Sequence, residues 1–258
     1  MIDPMLRDQY ARTLDELPAA APWPVLEDSG FLDLLAPADR GGAALPLDAL
    51  FELAIETARR PNPPPIVETM LVRLLDPKAV AIEDPESGLI AAGMERPLAR
   101  SLAGAAAAAQ IAGAVHALIE MTIDYAGTRQ QFGRPIGKFQ AVQQQLAVAV
   151  EEAHAAYVTS RAALAGPPDA IDRQRVAVAK IRAGQAAHTV AAIAHAVHGA
   201  IGISAEHALH QFTRRLHGWR MAHGGEAWWA AQLGQWMIAG DGDFITAIRD
   251  VSTVTDDG

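Results

Sequence analysis

The segment from Asp124 to Ala147, DYAGTRQQFGRPIGKFQAVQQQLA, concentrates polar and turn-forming residues between two helical patterns. Arg129 carries a planar guanidinium that can donate two parallel hydrogen bonds to a phosphate or a carboxylate. Gln131 adds an amide donor, and Phe132 can cover a flat ring. In a structural alternative, Arg129 pairs with Asp124 and Phe132 fills the core of a helical bundle. The residue types alone leave both interpretations open.

Histidines form a second set of residues that could do chemistry. His195 and His198, like His207 and His210, lie three residues apart, a helical spacing that can chelate a metal. The chain has no cysteine, which removes thiolate ligands and thiolate nucleophiles. We therefore predict no metal site and interpret these histidines as structural or as parts of a motif.

Composition restricts the class of protein. The 258 residues are 50% hydrophobic and 20% charged, an ordinary balance for a globular chain, and the net charge of -9 argues against a nucleic-acid surface. No uninterrupted apolar run reaches the roughly 18 residues that cross a bilayer. The first residues lack the apolar core of a signal peptide. We expect a cytoplasmic protein that makes no contact with membranes or nucleic acids.

Helical periodicity covers most of the chain, so the predicted fold class is all-α. Residues 1–75 contain four helical segments separated by Gly- and Pro-rich breaks. Residues 76–97 contain two short apolar runs around Asp-Pro-Glu-Ser-Gly, a pattern that predicts a β-hairpin. Residues 98–245 predict a four-helix bundle with end helices, and residues 246–258 form a tail. The long helices are predicted at Ser101 to Thr128, Gly137 to Leu164, Pro168 to His198, Ala205 to His217 and Glu226 to Ile238.

Three stretches carry a resemblance to a known family. YAGTRQQFGRPIGKFQAVQQQLA closely resembles the signature segment of the flavin-dependent acyl-CoA dehydrogenases, Tyr-Ala-x-x-Arg-x-x-Phe-Gly-x-Pro-Ile followed by Phe-Gln-Ala-Val-Gln. WPVLEDSGFLDLLAPADRGGAALPLDALFELAIETARR looks like the N-terminal helical domain of that family. VHGAIGISAEHALHQFTRR looks like its late His-Gly-Gly-x-Gly motif with the residues that follow. The three stretches occur in the family's order, and the resemblance that they carry extends over most of the chain.

The resemblance implies an FAD site and names its residues. In homomeric members, the signature Arg and Phe reach across a subunit interface to the pyrophosphate of the neighbour's flavin. Carried over to this sequence, the cofactor-binding residues are Arg129, Gln131, Phe132, His198 and Gly199. The family also implies an acyl-CoA substrate, from which a carboxylate removes the α-proton while the β-hydride goes to the flavin.

Several departures from the family pattern bear on activity. The family places a full β-domain between its helical domains, whereas residues 76–97 leave room only for a hairpin remnant. Ala196 stands in place of a Gln that helps to hold the flavin, and Ala200 in place of the second motif Gly. His223 aligns with the catalytic carboxylate of many members, and Glu226 follows three residues later. These two residues are weak catalytic candidates.

Two functional hypotheses remain open. In the first, this chain is the short subunit of a hetero-oligomeric FAD-dependent acyl-CoA dehydrogenase, with an α2β2 assembly expected. A longer acyl-CoA dehydrogenase subunit then supplies the β-domain and the catalytic carboxylate, and the family resemblance makes a steroid side-chain acyl-CoA ester the expected substrate. In the second, the chain is a non-catalytic helical scaffold that binds no flavin. Arg129, Gln131 and Phe132 favour the first, whereas Ala196, Ala200 and His223 favour the second.

Overall fold

The computed structural model describes residues 2–204 and 207–239, and these contain ten α-helices and one two-stranded hairpin. The all-α fold class is confirmed. The first four helices form an N-terminal layer: α1 (Pro4–Glu16), α2 (Pro22–Ser29), α3 (Leu47–Ala58) and α4 (Ile66–Arg73). Proline occupies the first turn of α1 and α2, where its missing N–H is not needed. α3 and α4 bury most of their side chains, so they form the inner part of this layer.

The predicted hairpin over residues 76–97 is wrong. Helix α5 (Pro85–Ala91) lies there instead. The Asp-Pro-Glu-Ser sequence is also a helix start: the carboxylate of Asp84 accepts hydrogen bonds from the backbone N–H of Ser87 at 3.3 Å and from its hydroxyl at 2.6 Å. Pro85 and Glu86 then fill the first turn, where a proline and a negative charge are both favoured. Leu89 is fully buried and anchors the helix.

The C-terminal half is a bundle of α6 (Arg96–Thr128), α7 (Gln140–Ala163), α8 (Arg173–His198), α9 (Leu209–Met221) and α10 (Glu226–Ala239). α6 is its centre, because it packs against α3 of the N-terminal layer on one side and against α7 and α8 on the other. α8 begins later than predicted because the Asp172 carboxylate caps the N–H groups of Gln174 and Arg175. The predicted helix start at Ala205 and the tail 246–258 lie outside the described residues.

Two helical stretches are long and apolar enough to cross a membrane by length and composition: Arg96–Thr128 and Arg173–Ile203. Neither stretch is an uninterrupted apolar run, because Gln110 and His116 lie within α6 and Lys180 and Arg182 lie within the second stretch. The most apolar window of α6 nevertheless has a mean hydropathy of 1.6. In α6, 89% of the most apolar window is buried inside the protein, against 39% in the second stretch. A buried core helix passes the same test, so the two stretches are weak evidence for a membrane span.

Gly113 sets the distance between α6 and α3. A Cβ atom at this position would lie 2.6 Å from the carbonyl oxygen of Ile55, so the two backbones could not keep their spacing. We expect Gly113→Ala to lower the free energy of unfolding by about 1–3 kcal/mol. Gly127→Ala in the same helix is the matched control, because no atom lies within 4 Å of its Cβ position. This change should raise stability by up to about 1 kcal/mol, and equal effects in urea denaturation would contradict the packing argument.

Candidate functional site

A hairpin projects from the junction between α6 and α7. Its strands are β1 (Gln130–Gln131) and β2 (Arg134–Pro135), paired antiparallel. Phe132 and Gly133 form the two-residue turn with φ angles of 50° and 79°, as a type I′ turn requires. A left-handed backbone is uncommon for an aromatic residue, so the turn holds Phe132 in a conformation that its residue type disfavours.

The ring of Phe132 points away from the protein. The residue is 91% exposed, and its ring makes one edge-to-face contact with Phe139, with 6.2 Å between the ring centroids. The alternative in which Phe132 fills the bundle core is therefore wrong. The exposed ring leaves its apolar face available to cover a ligand or a partner surface.

Arg129 is also exposed, and its guanidinium makes no hydrogen bond or ion pair with any residue in the described ranges. Its backbone N–H bonds to the carbonyl of Tyr125 at 2.9 Å, so its position at the end of α6 is fixed while its side chain stays available. The predicted alternative pairing with Asp124 does not form. Arg134 differs, because its guanidinium lies 4.3 Å from the centre of the Phe139 ring.

His198 lies beside this junction at the end of α8. Its side chain is buried, its ring stacks on Tyr125 at 4.4 Å, and its Nδ1 lies 2.8 Å from the carbonyl oxygen of Ala194, which fixes Nδ1 as the donor. Nε2 is then the acceptor of the neutral ring, and it is buried with no partner among the described residues. Burial lowers the pKa of His198, and His207 and His195 lower it further. His198 is therefore a neutral imidazole with one unused acceptor.

The structure thus brings the predicted cofactor residues to one end of the bundle. Tyr125 joins them, because it stacks on His198 and lies one helical turn before Arg129. Gly199 follows His198 with a φ of 63°, a conformation that favours glycine. The arrangement offers a free guanidinium, an aromatic face and a buried acceptor, which together suit a phosphorylated, ring-bearing ligand.

The lowered pKa of His198 has a consequence for stability. In the unfolded chain the ring takes up a proton below its ordinary pKa near 6.5, whereas in the folded protein its lowered pKa delays protonation to a more acidic pH. His198 therefore contributes stability that is present above pH 6.5 and is lost as the pH falls through the interval down to its folded pKa. Burial raises the pKa of Glu68, and a raised carboxyl pKa makes stability fall as the pH rises. The contribution of His198 is therefore measured as the difference between the wild type and a variant that lacks this histidine.

We expect His198→Gln to flatten the pH dependence of the unfolding free energy between about pH 7.5 and 5.5. Urea denaturation of both proteins across that range measures the slope. His154→Gln, an exposed histidine on α7, controls for the loss of an imidazole. Equal slopes for wild type and His198→Gln would contradict the assignment of a neutral, buried ring.

His223, one of the two catalytic candidates, is closed off by α5. Its Nδ1 lies 3.2 Å from Oε2 of Glu86, and its side chain is only 11% exposed. Arg100 holds the other oxygen of Glu86 through Nε at 3.0 Å and Nη2 at 2.9 Å. Burial lowers the pKa of His223, and the hydrogen bond that its ring donates to the Glu86 carboxylate opposes that effect. The helix that replaced the predicted hairpin thus supplies the group that covers His223.

Glu226, the other candidate, is held in an ion pair with Arg220 and packs against α8 at Gly184. A Cβ atom at Gly184 would lie 2.6 Å from the Glu226 carboxyl carbon, so a larger residue there would displace this carboxylate from its present position. Lys180 lies nearby and donates to the carbonyls of Trp219 at 2.8 Å and Ala222 at 2.9 Å. Burial lowers the pKa of Lys180 to about 8, although the carboxylate of Glu226 raises it.

The residues around His223 and Glu226 lie far along the bundle axis from the hairpin end. Lys180 and His198 are eighteen residues apart on α8, which is about 27 Å along the helix axis. The catalytic candidates therefore do not join the hairpin end. Glu86 and Lys180 were not predicted, and the sequence signal for Lys180 was only that it is a single lysine in an alanine-rich helix. In the part of the chain that the structure describes, no three metal-ligating side chains come together.

Comparison with known proteins adds a family match and a fold match. The acyl-CoA dehydrogenase C-terminal domain matches residues 100–238, more than half of the chain. Acyl-CoA dehydrogenase IpdE2 of Mycobacterium tuberculosis is 36% identical over 111 residues, which cover 43% of this chain and 34% of that protein. The chain therefore spans about a third of the length of this curated relative.

Two solved structures match almost the whole chain. The ChsE4–ChsE5 complex from Mycobacterium tuberculosis matches with a TM-score of 0.73 and 19% identity, over 92% of this chain and 96% of that one. A variant of the Tcur3481–Tcur3483 steroid ACAD matches with a TM-score of 0.74 and 20% identity, over 91% and 95%. At these identities the likeness shows a shared fold.

Proposed function

This chain belongs to the acyl-CoA dehydrogenase family, and from that premise we propose that it is one subunit of a hetero-oligomeric, FAD-dependent acyl-CoA dehydrogenase. In this proposal the hairpin end of the bundle holds part of a flavin whose ring lies in a longer partner subunit. The partner supplies the β-domain and the catalytic carboxylate. The observation that carries the proposal is the hairpin end itself, where Arg129 and Phe132 are exposed with the unpartnered Nε2 of His198 close by.

The residues of the hairpin end fit a flavin adenine dinucleotide. Bound FAD would accept the hydride that leaves the β-carbon of the acyl thioester. Arg129 would hold its pyrophosphate, because a free guanidinium forks onto phosphate oxygens. Phe132 would cover the cofactor and exclude water, and the unused Nε2 of His198 would accept a hydrogen bond. Gly199 would leave space for the cofactor beside the end of α8.

The covered position of His223 supports the proposal that the catalytic base belongs to the partner subunit. A catalytic base must reach the α-carbon of the substrate, yet His223 is held by Glu86 and covered by α5. The carboxylate of Glu226 is likewise held in an ion pair with Arg220. Neither side chain is free to take a proton from a substrate, so we assign the base to the partner. Ala196 and Ala200, both exposed beside His198, leave the scaffold hypothesis as the second candidate.

The substrate we propose is an acyl-CoA ester, and a steroid side-chain ester in particular. The name of the Tcur3481–Tcur3483 steroid ACAD suggests this class, and the names of both structural relatives pair two components. An α2β2 assembly is the arrangement that we expect.

The proposal predicts that this chain purified alone binds little flavin and does not oxidise acyl-CoA esters. Co-expression with a longer acyl-CoA dehydrogenase should give a yellow, active complex that purifies as one species. In that complex His223→Ala should leave turnover largely unchanged. Flavin absorbance and dye-coupled oxidation of acyl-CoA measure both properties. A yellow and fully active homomer would overturn the proposal and return His223 and Glu226 as candidate bases.

A further inference from the structure

A cleft of about 280 Å³ opens where α10 packs against the first turns of α6 and α8. Arg96 and Arg100 enter it from α6, Arg173 from α8, and Trp228 and Trp236 from α10. Within residues 2–204 and 207–239, no carboxylate belongs to its lining. In a chain with a net charge of -9, three arginines around one small cleft form a local positive site.

The arginines of this cleft differ in how they are used. The guanidiniums of Arg96 and Arg173 are exposed and make no hydrogen bond or ion pair with residues of the described ranges. Arg100 gives its Nε and Nη2 to Glu86 and lies 5.0 Å from the centre of the Trp228 ring. Two free cations and one oriented cation therefore face the same space, which is suited to a phosphate.

The aromatic side of the cleft has a defined geometry. Trp228 is 38% exposed and meets the buried ring of Trp229 at right angles, with 4.7 Å between centroids. That contact fixes the orientation of the Trp228 indole, which leaves part of its surface open. A nucleic-acid base stacks on such a surface whatever its identity, because every base has a π-face. The amide of Gln232 adds a donor and an acceptor at the same wall.

We propose that this cleft binds a nucleoside phosphate, with the base against Trp228 and the phosphate held by Arg96 and Arg173. The volume is slightly below the roughly 300 Å³ at which pockets for drug-sized ligands begin, so it suits a mononucleotide or one end of a longer molecule. Arg100 and Tyr125 are twenty-five residues apart on α6, about 37 Å along its axis, so this site is separate from the hairpin end.

Titration of the full chain with AMP, followed by tryptophan fluorescence, tests this inference. Three of the five tryptophans line the cleft, so binding should change the emission in a saturable way below about 1 mM. The double variant Arg96→Gln, Arg173→Gln should bind at least tenfold more weakly. The control Arg7→Gln, Arg161→Gln removes two exposed arginines elsewhere and should bind as wild type does.

Titrations with CoA, ADP and inorganic phosphate identify the source of the ligand. Tighter binding of CoA than of AMP and ADP would support the inference and assign the site to the nucleotide end of CoA, and the reverse order would support a free nucleotide. Inorganic phosphate that binds as tightly as AMP would overturn it, because the cleft would then be a simple anion site. Equal affinities for the two double variants would also overturn it, and circular dichroism confirms that both are folded.

Discussion

Replacing Arg129 with alanine should lower the flavin content of the co-expressed complex by about tenfold or more. The guanidinium is exposed and has no partner among the described residues, so the substitution removes nothing from the fold of this chain that the structure shows. A hydrogen bond to a charged group contributes about 1.5–3 kcal/mol, and a fork onto a pyrophosphate makes two such bonds. Each 1.4 kcal/mol corresponds to a factor of ten in affinity.

Three further variants make the Arg129 result specific. Arg129→Lys should recover little flavin, because an ammonium cannot reproduce the planar fork. Phe132→Ala should weaken flavin retention more mildly by uncovering the site. Arg161→Ala, an exposed arginine at the far end of α7, should change nothing. Full flavin retention in Arg129→Ala, together with a lower melting temperature, would make the signature a structural relic and favour the scaffold hypothesis.

Arg73→Met should lower the free energy of unfolding by about 3 kcal/mol. The Arg73 side chain is 3% exposed, and its Nη1 donates to both carboxylate oxygens of Asp33 at 3.0 Å. It also pairs with Glu27 and donates from Nε to the carbonyl of Ala79 at 2.9 Å. One guanidinium therefore joins α2, α4 and the segment before α5. Methionine would leave two carboxylates and a carbonyl without their donor.

Arg59→Met is the matched control for Arg73. Arg59 pairs with Glu120 at 2.8 Å, but the two side chains are 33% and 50% exposed. An exposed ion pair of this kind contributes less than about 1 kcal/mol. Urea denaturation of both variants gives the comparison. Losses of equal size would show that burial does not distinguish the two pairs and would contradict the role assigned to Arg73.

The helices of both halves could be predicted from helical periodicity and from the Gly- and Pro-rich breaks between them. The exact starts of α6 and α8 were missed, although Pro97 and Asp172 are local signals of a helix N-terminus: the predicted starts were Ser101 and Pro168. The same local chemistry explains the error at residues 76–97, where Asp-Pro-Glu-Ser-Gly suits both a turn and a helix start. Burial of Leu89 decides for the helix, and a single sequence does not report burial.

The chemistry of the candidate site was only partly predictable. Arg129 and Phe132 stood out by type and spacing, although their exposure had to come from the fold. The Glu86–His223 contact joins residues 137 positions apart, and no periodicity connects them. Lys180 reaches the end of α9 across a similarly unmarked interval of about forty residues. Such contacts depend on tertiary packing, which is why the covering of His223 could not be anticipated.

The structure of the co-expressed complex with flavin bound would show whether Arg129 of this chain holds the cofactor. We expect the guanidinium of Arg129 to lie within hydrogen-bonding distance, about 3 Å, of a flavin phosphate oxygen, while the flavin ring lies against the partner's β-domain. We also expect α5 still to cover His223. The proposed function would be contradicted by a flavin ring enclosed by this chain beside His223 and Glu226. It would also be contradicted by a complex in which Arg129 contacts no cofactor.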